Sequence, residues 1–450
     1  MQRCDDLLNV AELVDESITL WHECTTSFPV SGRQYSEEEQ KEREPILDQF
    51  LHTIETESLR LLQRRTDRER SLERITSAFA QFASAALDLD DASLELLLRD
   101  GFSAVGTELA RQARHFDATV SVSDILQASR NAWTACGLQL LLGQPMRLTP
   151  AIFAYSMLYP YSDNYLDSAE IPREEKLAFS SRFRKRLAGQ HFEWTSEREA
   201  AIWRLVALIE AQYRRTDYPH VYASLLAIHQ AQEESLCQLR LNGVLSSEDV
   251  LRLSCTKGGT SVLADAYLGA GALRPHQAKF SFLWGILLQL GDDLQDLHDD
   301  LARGSLTLFS QAAGHQPLDK LTNRLMNFAS KLRPHMDSLE NGSETLKTLL
   351  KRSSQSIIIR SAGYAAEYYT TAYIRELERF SPFRFDFLLT RQERVASRTE
   401  LYTQMFEALL AAREEEPVFP SLPAAFVLPV WGTRFSSETA LRKWDPSGVL

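Results

Sequence analysis

The sequence predicts an all-α protein, and three observations carry that expectation. Leu, Ala and Ile recur at i, i+3 and i+4 among Glu, Arg and Gln over long stretches, as in residues 48–72 and 196–214. Alternating β-branched runs closed by Asn-Gly or Asp-Gly turns are missing. Breakers divide these stretches into separate helices, as at Thr149-Pro150, Tyr218-Pro219 and Arg274-Pro275.

Taken in chain order, residues 1–145 read as an N-terminal helical extension. Within it, residues 32–45 are charged and poor in apolar side chains, the composition of a loop or helix entry. Thr149-Pro150 reads as an N-cap followed by a favoured first helical residue, opening a helix toward Asp163. Tyr218-Pro219 and Arg274-Pro275 mark further boundaries, because a residue before proline avoids the helical region. Residues 314–317 end another helix. Residues 146–415 are thus expected to form the main helical domain. Residues 416–450 form a tail whose first half, through residue 432, is apolar and broken by Pro417, Pro420, Pro423 and Pro429. That tail reads as extended chain packed on the body; a membrane-surface contact or a lid stays open. No repeat at solenoid period is visible.

Composition narrows the function. The chain is 450 residues long, 44% hydrophobic and 24% charged, values ordinary for a globular protein with a large core. A formal net charge of −12 argues against nucleic-acid binding, which needs a basic face. It leaves room for a phosphorylated small molecule, because divalent cations can invert the local sign. Five scattered cysteines, Cys4, Cys24, Cys136, Cys237 and Cys255, follow no metal-ligand spacing and suit a reducing compartment. The N-terminus lacks the basic-then-apolar order of a signal peptide, and no apolar run reaches roughly 18 residues. A cytoplasmic location is the expectation. A homodimer and a peripheral membrane contact stay open.

Two acidic segments carry the chemistry. Residues 283–300, LWGILLQLGDDLQDLHDD, pass from an apolar helix to Asp292, Asp293, Asp296, Asp299 and Asp300, with no basic residue among them. Asp292, Asp296 and Asp300 fall at i, i+4 and i+8 and share one helical face. Like charges at that spacing destabilise a helix by a few tenths of a kcal/mol per pair, which a bound divalent cation would remove. Farther back on that face lie Gln289, Gly285 and Ser281. The two small residues predict room beside the helix for an apolar ligand tail. In residues 159–167, YPYSDNYLD, Asp163 and Asp167 share a face, with Tyr155, Ser156 and Tyr159 behind them. Mg²⁺ usually takes one or two protein carboxylates and completes its shell with water and phosphate oxygens. Two acidic rows on separate helices suit ions bridged by a diphosphate. A plain solvated helix face is the competing reading, stronger for Asp163 and Asp167 than for the second row.

These residues carry a family resemblance. The segment LQLGDDLQDLHDDLARG (residues 288–304) resembles the second aspartate-rich motif of the class I isoprenoid (terpenoid) synthases. It has trans-prenyl diphosphate synthase character and also aligns with the squalene/phytoene synthase pattern at Asp296, Asp300, Arg303 and Gly304. Asp163-Asn164-Tyr165-Leu166-Asp167 is similar to the DxxxD motif of head-to-head synthases and large terpene synthases. TKGGTSVLADAYLGA (residues 256–270) looks like the lysine-containing segment before the second motif. The resemblance covers residues 149–309. It implies a helical bundle around a central apolar cavity and a cluster of three Mg²⁺. Asp163, Asp167, Asp292, Asp293, Asp296 and Asp300 would be metal ligands, and Lys257 and Arg303 diphosphate contacts. Substrate would lie against Tyr155, Tyr159, Gly285 and Gln289. The implied reaction ionises a polyprenyl diphosphate and couples or cyclises the carbocation. Asn164 departs from the DDxxD motif of chain-elongating synthases, and Asp292 stands where head-to-head synthases carry asparagine.

Other groups are candidates beside these. Arg182, Arg184, Lys185 and Arg186 are further candidate diphosphate contacts, or else an exposed basic turn. His298 reads as a partner to the acidic row. His229 with Glu233 and Glu234 reads as a satisfied helix-surface cluster. A non-catalytic helical protein of the same fold, binding an isoprenoid lipid or a protein partner, is the alternative.

Overall fold

The computed structural model describes residues 8–29, 32–63, 68–98, 101–168, 170–235 and 245–411. The tail from 416 onward, Cys4 and Cys237 lie outside them. Among the described residues the protein is all-α, with no strand. In chain order the helices are α1 (Val10–Glu23), α2 (Glu37–Gln63), α3 (Arg68–Leu87), α4 (Asp91–Leu98), α5 (Phe102–Phe116), α6 (Val122–Leu141) and α7 (Pro150–Leu158). After a π-helical turn at Tyr159–Asp163 come α8 (Asn164–Asp167), α9 (Arg173–Leu187), α10 (Glu197–Gln212), α11 (Pro219–Ser235), α12 (Ser247–Ala270), α13 (Pro275–Gln295) and α14 (Leu297–Arg303). The rest are α15 (Leu308–Ala312), α16 (Asp319–Asp337), α17 (Glu344–Tyr364), α18 (Thr371–Glu378), α19 (Phe385–Ala396) and α20 (Thr399–Ala411). No described helix is long and apolar enough to cross a membrane.

The chain forms two compact units, each assembled from two separated stretches. One comprises Met1–Pro29 with Thr134–Ser343, the other Val30–Trp133 with Glu344–Leu450. The expected 146–415 domain therefore contributes 146–343 to the first and its remainder to the second.

The second unit is built on α2 and α3, whose Phe50, Phe79 and Phe82 are fully buried. Phe50 stacks on Phe82 at 5.0 Å, and Phe82 on Phe383 at 6.3 Å. Residues 32–45 read as a loop or helix entry, and α2 does enter there, beginning at Glu37 and running through Pro45. The reason is a reciprocal cap: Glu39 N–H donates to Ser36 Oγ (3.2 Å) and Ser36 N–H to the Glu39 carboxylate (2.8 Å).

In the first unit α12 and α13 form an antiparallel hairpin contacted by α1, α11, α15 and α16. Ser246 and Asp249 make a capping box on α12, and Pro275 opens α13. Gly271, at φ +77, turns the chain between them. Thr149 caps α7 by accepting from Ile152 N–H (3.3 Å), with Pro150 in the first helical position. Farther on, Pro160 has no N–H to bond the Ser156 carbonyl and its ring crowds that oxygen; the helix widens there into the π turn.

Candidate functional site

All the candidate residues belong to the first unit. The acidic row keeps its predicted register. Asp296 N–H donates to Asp292 O and Asp300 N–H to Asp296 O, each at 2.8 Å, so i+4 bonding continues from α13 into α14. Asp292, Asp296 and Asp300 are therefore stacked a turn apart and half-buried. His298 and Arg303 are exposed, and Gly304 ends α14 in the left-handed region at φ +68.

Asp293 has a different environment. Its carboxylate accepts from Ser254 Oγ on α12 (3.0 Å) and from Gln289 Nε2 (2.8 Å). Burial pushes this carboxyl up to about 6 against the opposing effect of those two donors. Asp293 and Gln289, expected at ligand and substrate, thus form a polar crosslink between α12 and α13.

Glycines set the spacing of that hairpin. A Cβ on Gly258 would lie 2.5 Å from the Gly285 carbonyl oxygen, and one on Gly285 would overlap the Gly258 carbonyl. The room predicted beside Gly285 is therefore filled by the backbone of α12, and Ser281 on the same face is fully buried. Small residues here bring two helices together rather than open a groove.

The contacts also fix the levels along α12. Ser254 meets Asp293, Gly258 meets Gln289, and Val262 meets Gly285. Lys257 is therefore within a turn of the Asp292–Asp293 level. Its Nζ is shielded from solvent, and no described residue accepts a hydrogen bond from it. On α7, Ala151 N–H donates to Gln212 Oε1 (3.0 Å), beside Tyr213, whose hydroxyl donates to Leu268 O near the end of α12 (2.7 Å). Tyr155 O–H donates to Ser261 O (3.3 Å), and the Tyr159 and Ser261 hydroxyls are 2.5 Å apart. α7 thus runs antiparallel to α12, and its next turn, bearing Asp163, is directed toward the Lys257 end.

Asp163 is half-buried and accepts from Gln232 Nε2 on α11 (2.8 Å) and Ser162 Oγ (3.1 Å). The Asp167 side chain lies outside the described residues. Tyr155 and Tyr159 pack edge to face at 5.6 Å. Burial raises both phenols well above their ordinary range, helped by the negative charges of Asp265 and, for Tyr159, Asp163. Among the described residues, no three His, Cys, Asp or Glu side chains form a group able to hold a metal ion.

The basic segment of α9 is committed elsewhere. Arg182 is bidentate to Glu199 (2.7 Å for each bond), Arg184 pairs with Glu233, and buried Arg186 forks onto Glu210 (2.7 and 2.5 Å). Burial alone would raise Glu210, but Arg186 and Arg215 overcome it and hold the carboxyl below its usual range. These arginines tie α9 to its neighbours; among the described residues, Lys257 is a shielded cation within a turn of the Asp292–Asp293 level.

His229 corrects another expectation. It is 1% exposed, not on a helix surface. Its Nε2–H donates to Ser180 O (3.0 Å), while Ser180 Oγ donates to Glu233 (2.6 Å). With Leu225, Ile228 and Gln232 it forms one face of α11 on a narrow crevice of about 20 Å³, room for about one water, beneath Tyr155, Tyr159 and Asp163. The signal was legible: apolar residues at i−4 and i−1 from a histidine mark an inward face.

No family model matches the chain, and no curated protein matches it.

Proposed function

We propose that this chain is a Mg²⁺-dependent class I terpenoid synthase that ionises a polyprenyl diphosphate and couples or cyclises the resulting carbocation. The carrying observation is Lys257, an ammonium shielded from solvent, without an acceptor among the described residues, at the level of a half-buried aspartate row. A buried charge lacking a partner is strongly destabilising, and an anion such as diphosphate would answer it. The donor chemistry fits as well. Carboxylate oxygens suit Mg²⁺, which needs only one or two of them when phosphate completes the shell, so no three-carboxylate cage is required.

Asp292, Asp296 and Asp300 would hold ions on one side and Asp163, with Asp167, on the other. When bound, Mg²⁺ would supply charge stabilisation for the leaving diphosphate. Lys257 adds a direct contact to phosphate oxygen, and Arg303, at the end of α14, a second. Tyr155 and Tyr159 are held by Ser261 and offer ring surface for cation–π attraction. Asp293 is left out of the ligand set, since its oxygens already serve Ser254 and Gln289.

The test is diphosphate release from farnesyl and geranylgeranyl diphosphate with Mg²⁺. We expect release that a chelator abolishes and that falls on the order of 10²-fold or more in Asp292→Ala and Asp296→Ala, with helicity intact. Turnover equal to that of the unaltered protein in both variants would refute the assignment. One observation favours the second reading, a non-catalytic binder of an isoprenoid lipid or protein partner: the filled space beside Gly285. Lipid binding without diphosphate release at any chain length would establish that reading instead.

A further inference from the structure

A cleft of about 790 Å³ follows α1 within the first unit, a volume in the range of ligand pockets. Its far side is bounded by Phe282 and Leu283 of α13 and His335 of α16. Neither the acidic row nor Lys257 takes part in its lining.

The α1 side has a regular pattern. Glu12, Glu16 and Glu23 all line the cleft, and at i, i+4 and i+11 they fall within about 40° of one another around the helix. Leu13 and Leu20, two turns apart, line it as a neighbouring apolar stripe. The three glutamates are exposed and the two leucines half-buried. Glu16 pairs with Lys279 of α13 (2.8 Å), and Glu12 accepts from Asn9 Nδ2 (2.6 Å). With Asp15, four acids face one lysine. Burial and the charge of Lys279 pull His335 below its ordinary range, so it adds no positive charge near pH 7. The wall is also fixed in place. Trp21 is 2% exposed and packs edge to face on Phe328 at 5.8 Å, and Asn327 donates to Thr25 O and Ser27 O (2.9 and 3.0 Å). A ligand therefore need not order it.

The spacing selects the ligand. Glu12 and Glu23 are about 16 Å apart along the axis at 1.5 Å per residue, so the carboxylates are strung out rather than gathered around one ion. A compact cation would meet them singly. A basic peptide would press its polar backbone against Leu13 and Leu20. We propose that the cleft binds a linear aliphatic polyamine lengthwise, its ammonium groups on Glu12, Glu16 and Glu23 and its methylene runs on Leu13 and Leu20. A tetraamine with three- and four-carbon spacers matches the interval from Glu12 to Glu23. Each exposed ion pair is weak alone, so affinity rises with the number of ammonium groups joined in one chain.

The experiment is calorimetry on the full chain at about 0.15 M salt without Mg²⁺, with spermine, putrescine and tetralysine as ligands. Spermine should bind about tenfold tighter than either of the others. Glu12→Gln combined with Glu23→Gln should weaken spermine about tenfold. Removing the same charge from exposed positions elsewhere, with Glu73→Gln and Glu95→Gln, should leave its affinity within about twofold. Spermine no tighter than putrescine overturns the proposal, as does an equal loss in both double variants or in neither. Tetralysine binding as tightly as spermine overturns it in favour of a basic peptide. The terpenoid-synthase reading is judged separately, by diphosphate release.

Discussion

The α12–α13 hairpin and the α7–α9–α11 wall use opposite means to hold helices together. In the hairpin, Gly258 and Gly285 let two backbones touch, and the polar Ser254–Asp293–Gln289 link lies inside the joint. In the wall, Phe183 of α9 packs edge to face on His229 of α11, an arginine–carboxylate fork ties α9 to α10, and a crevice of only about 20 Å³ remains. The lesson concerns small residues. On a helix face they mark close approach as readily as open space.

Substitutions can break that contrast. The largest expected effect on stability is at Gly285→Ala, whose Cβ would overlap the Gly258 carbonyl; we expect about 3 kcal/mol of destabilisation by urea unfolding. A neutral result would mean that Gly285 borders free space after all. Next comes Glu210→Gln on α10, at the edge of the wall, which removes the charge facing buried Arg186 and should destabilise by about 2 kcal/mol. If stability is unchanged, the arginine forks are incidental and the wall is held by packing alone.

The smallest effect, at mildly acidic pH, separates the two regions by sign. His229 is held near 4 when folded, against an ordinary 6.5, so the unfolded chain binds more protons between those values. Its contribution is fully present above about pH 6.5 and fades as pH falls toward 4, by up to about 3 kcal/mol over the whole interval. At pH 5.5 only part of that is lost. Asp293, raised to about 6, acts the other way: its contribution is complete below its unfolded value near 4 and is lost as pH rises through 6. The rise in urea midpoint from pH 5.5 to 7 should therefore shrink or reverse in His229→Leu, where Asp293 still titrates, and grow in Asp293→Asn. Identical pH profiles for both variants and the unaltered protein would remove either group as a titrating element.

Local signals in the sequence were read well and pairings across space were not. Thr149-Pro150, Tyr218-Pro219 and Arg274-Pro275 each open a helix where the dipeptides predict one. The i, i+4, i+8 alignment of Asp292, Asp296 and Asp300 survives the passage from α13 to α14. Ser36-Glu37-Glu38-Glu39 holds a capping box that the surrounding charge obscures, so residues 32–45 read only as a loop or helix entry. What stayed hidden depends on partners far away in the chain. Gly285 becomes a contact only because Gly258 lies opposite, and Asp293 differs from Asp292 only because Ser254 lies on one side of the helix and not the other.

The interleaving of the two units has a consequence for synthesis on the ribosome. The stretch 30–133 emerges early, carrying Phe79 and Phe82, yet Phe383, which stacks on Phe82, is made some 300 residues later. The unit of 1–29 and 134–343 has all its parts sooner, while the other must wait for 344 onward. Nascent chains halted near residue 343 should therefore display an uncovered aromatic surface, the sort of transient exposure on which holding chaperones act.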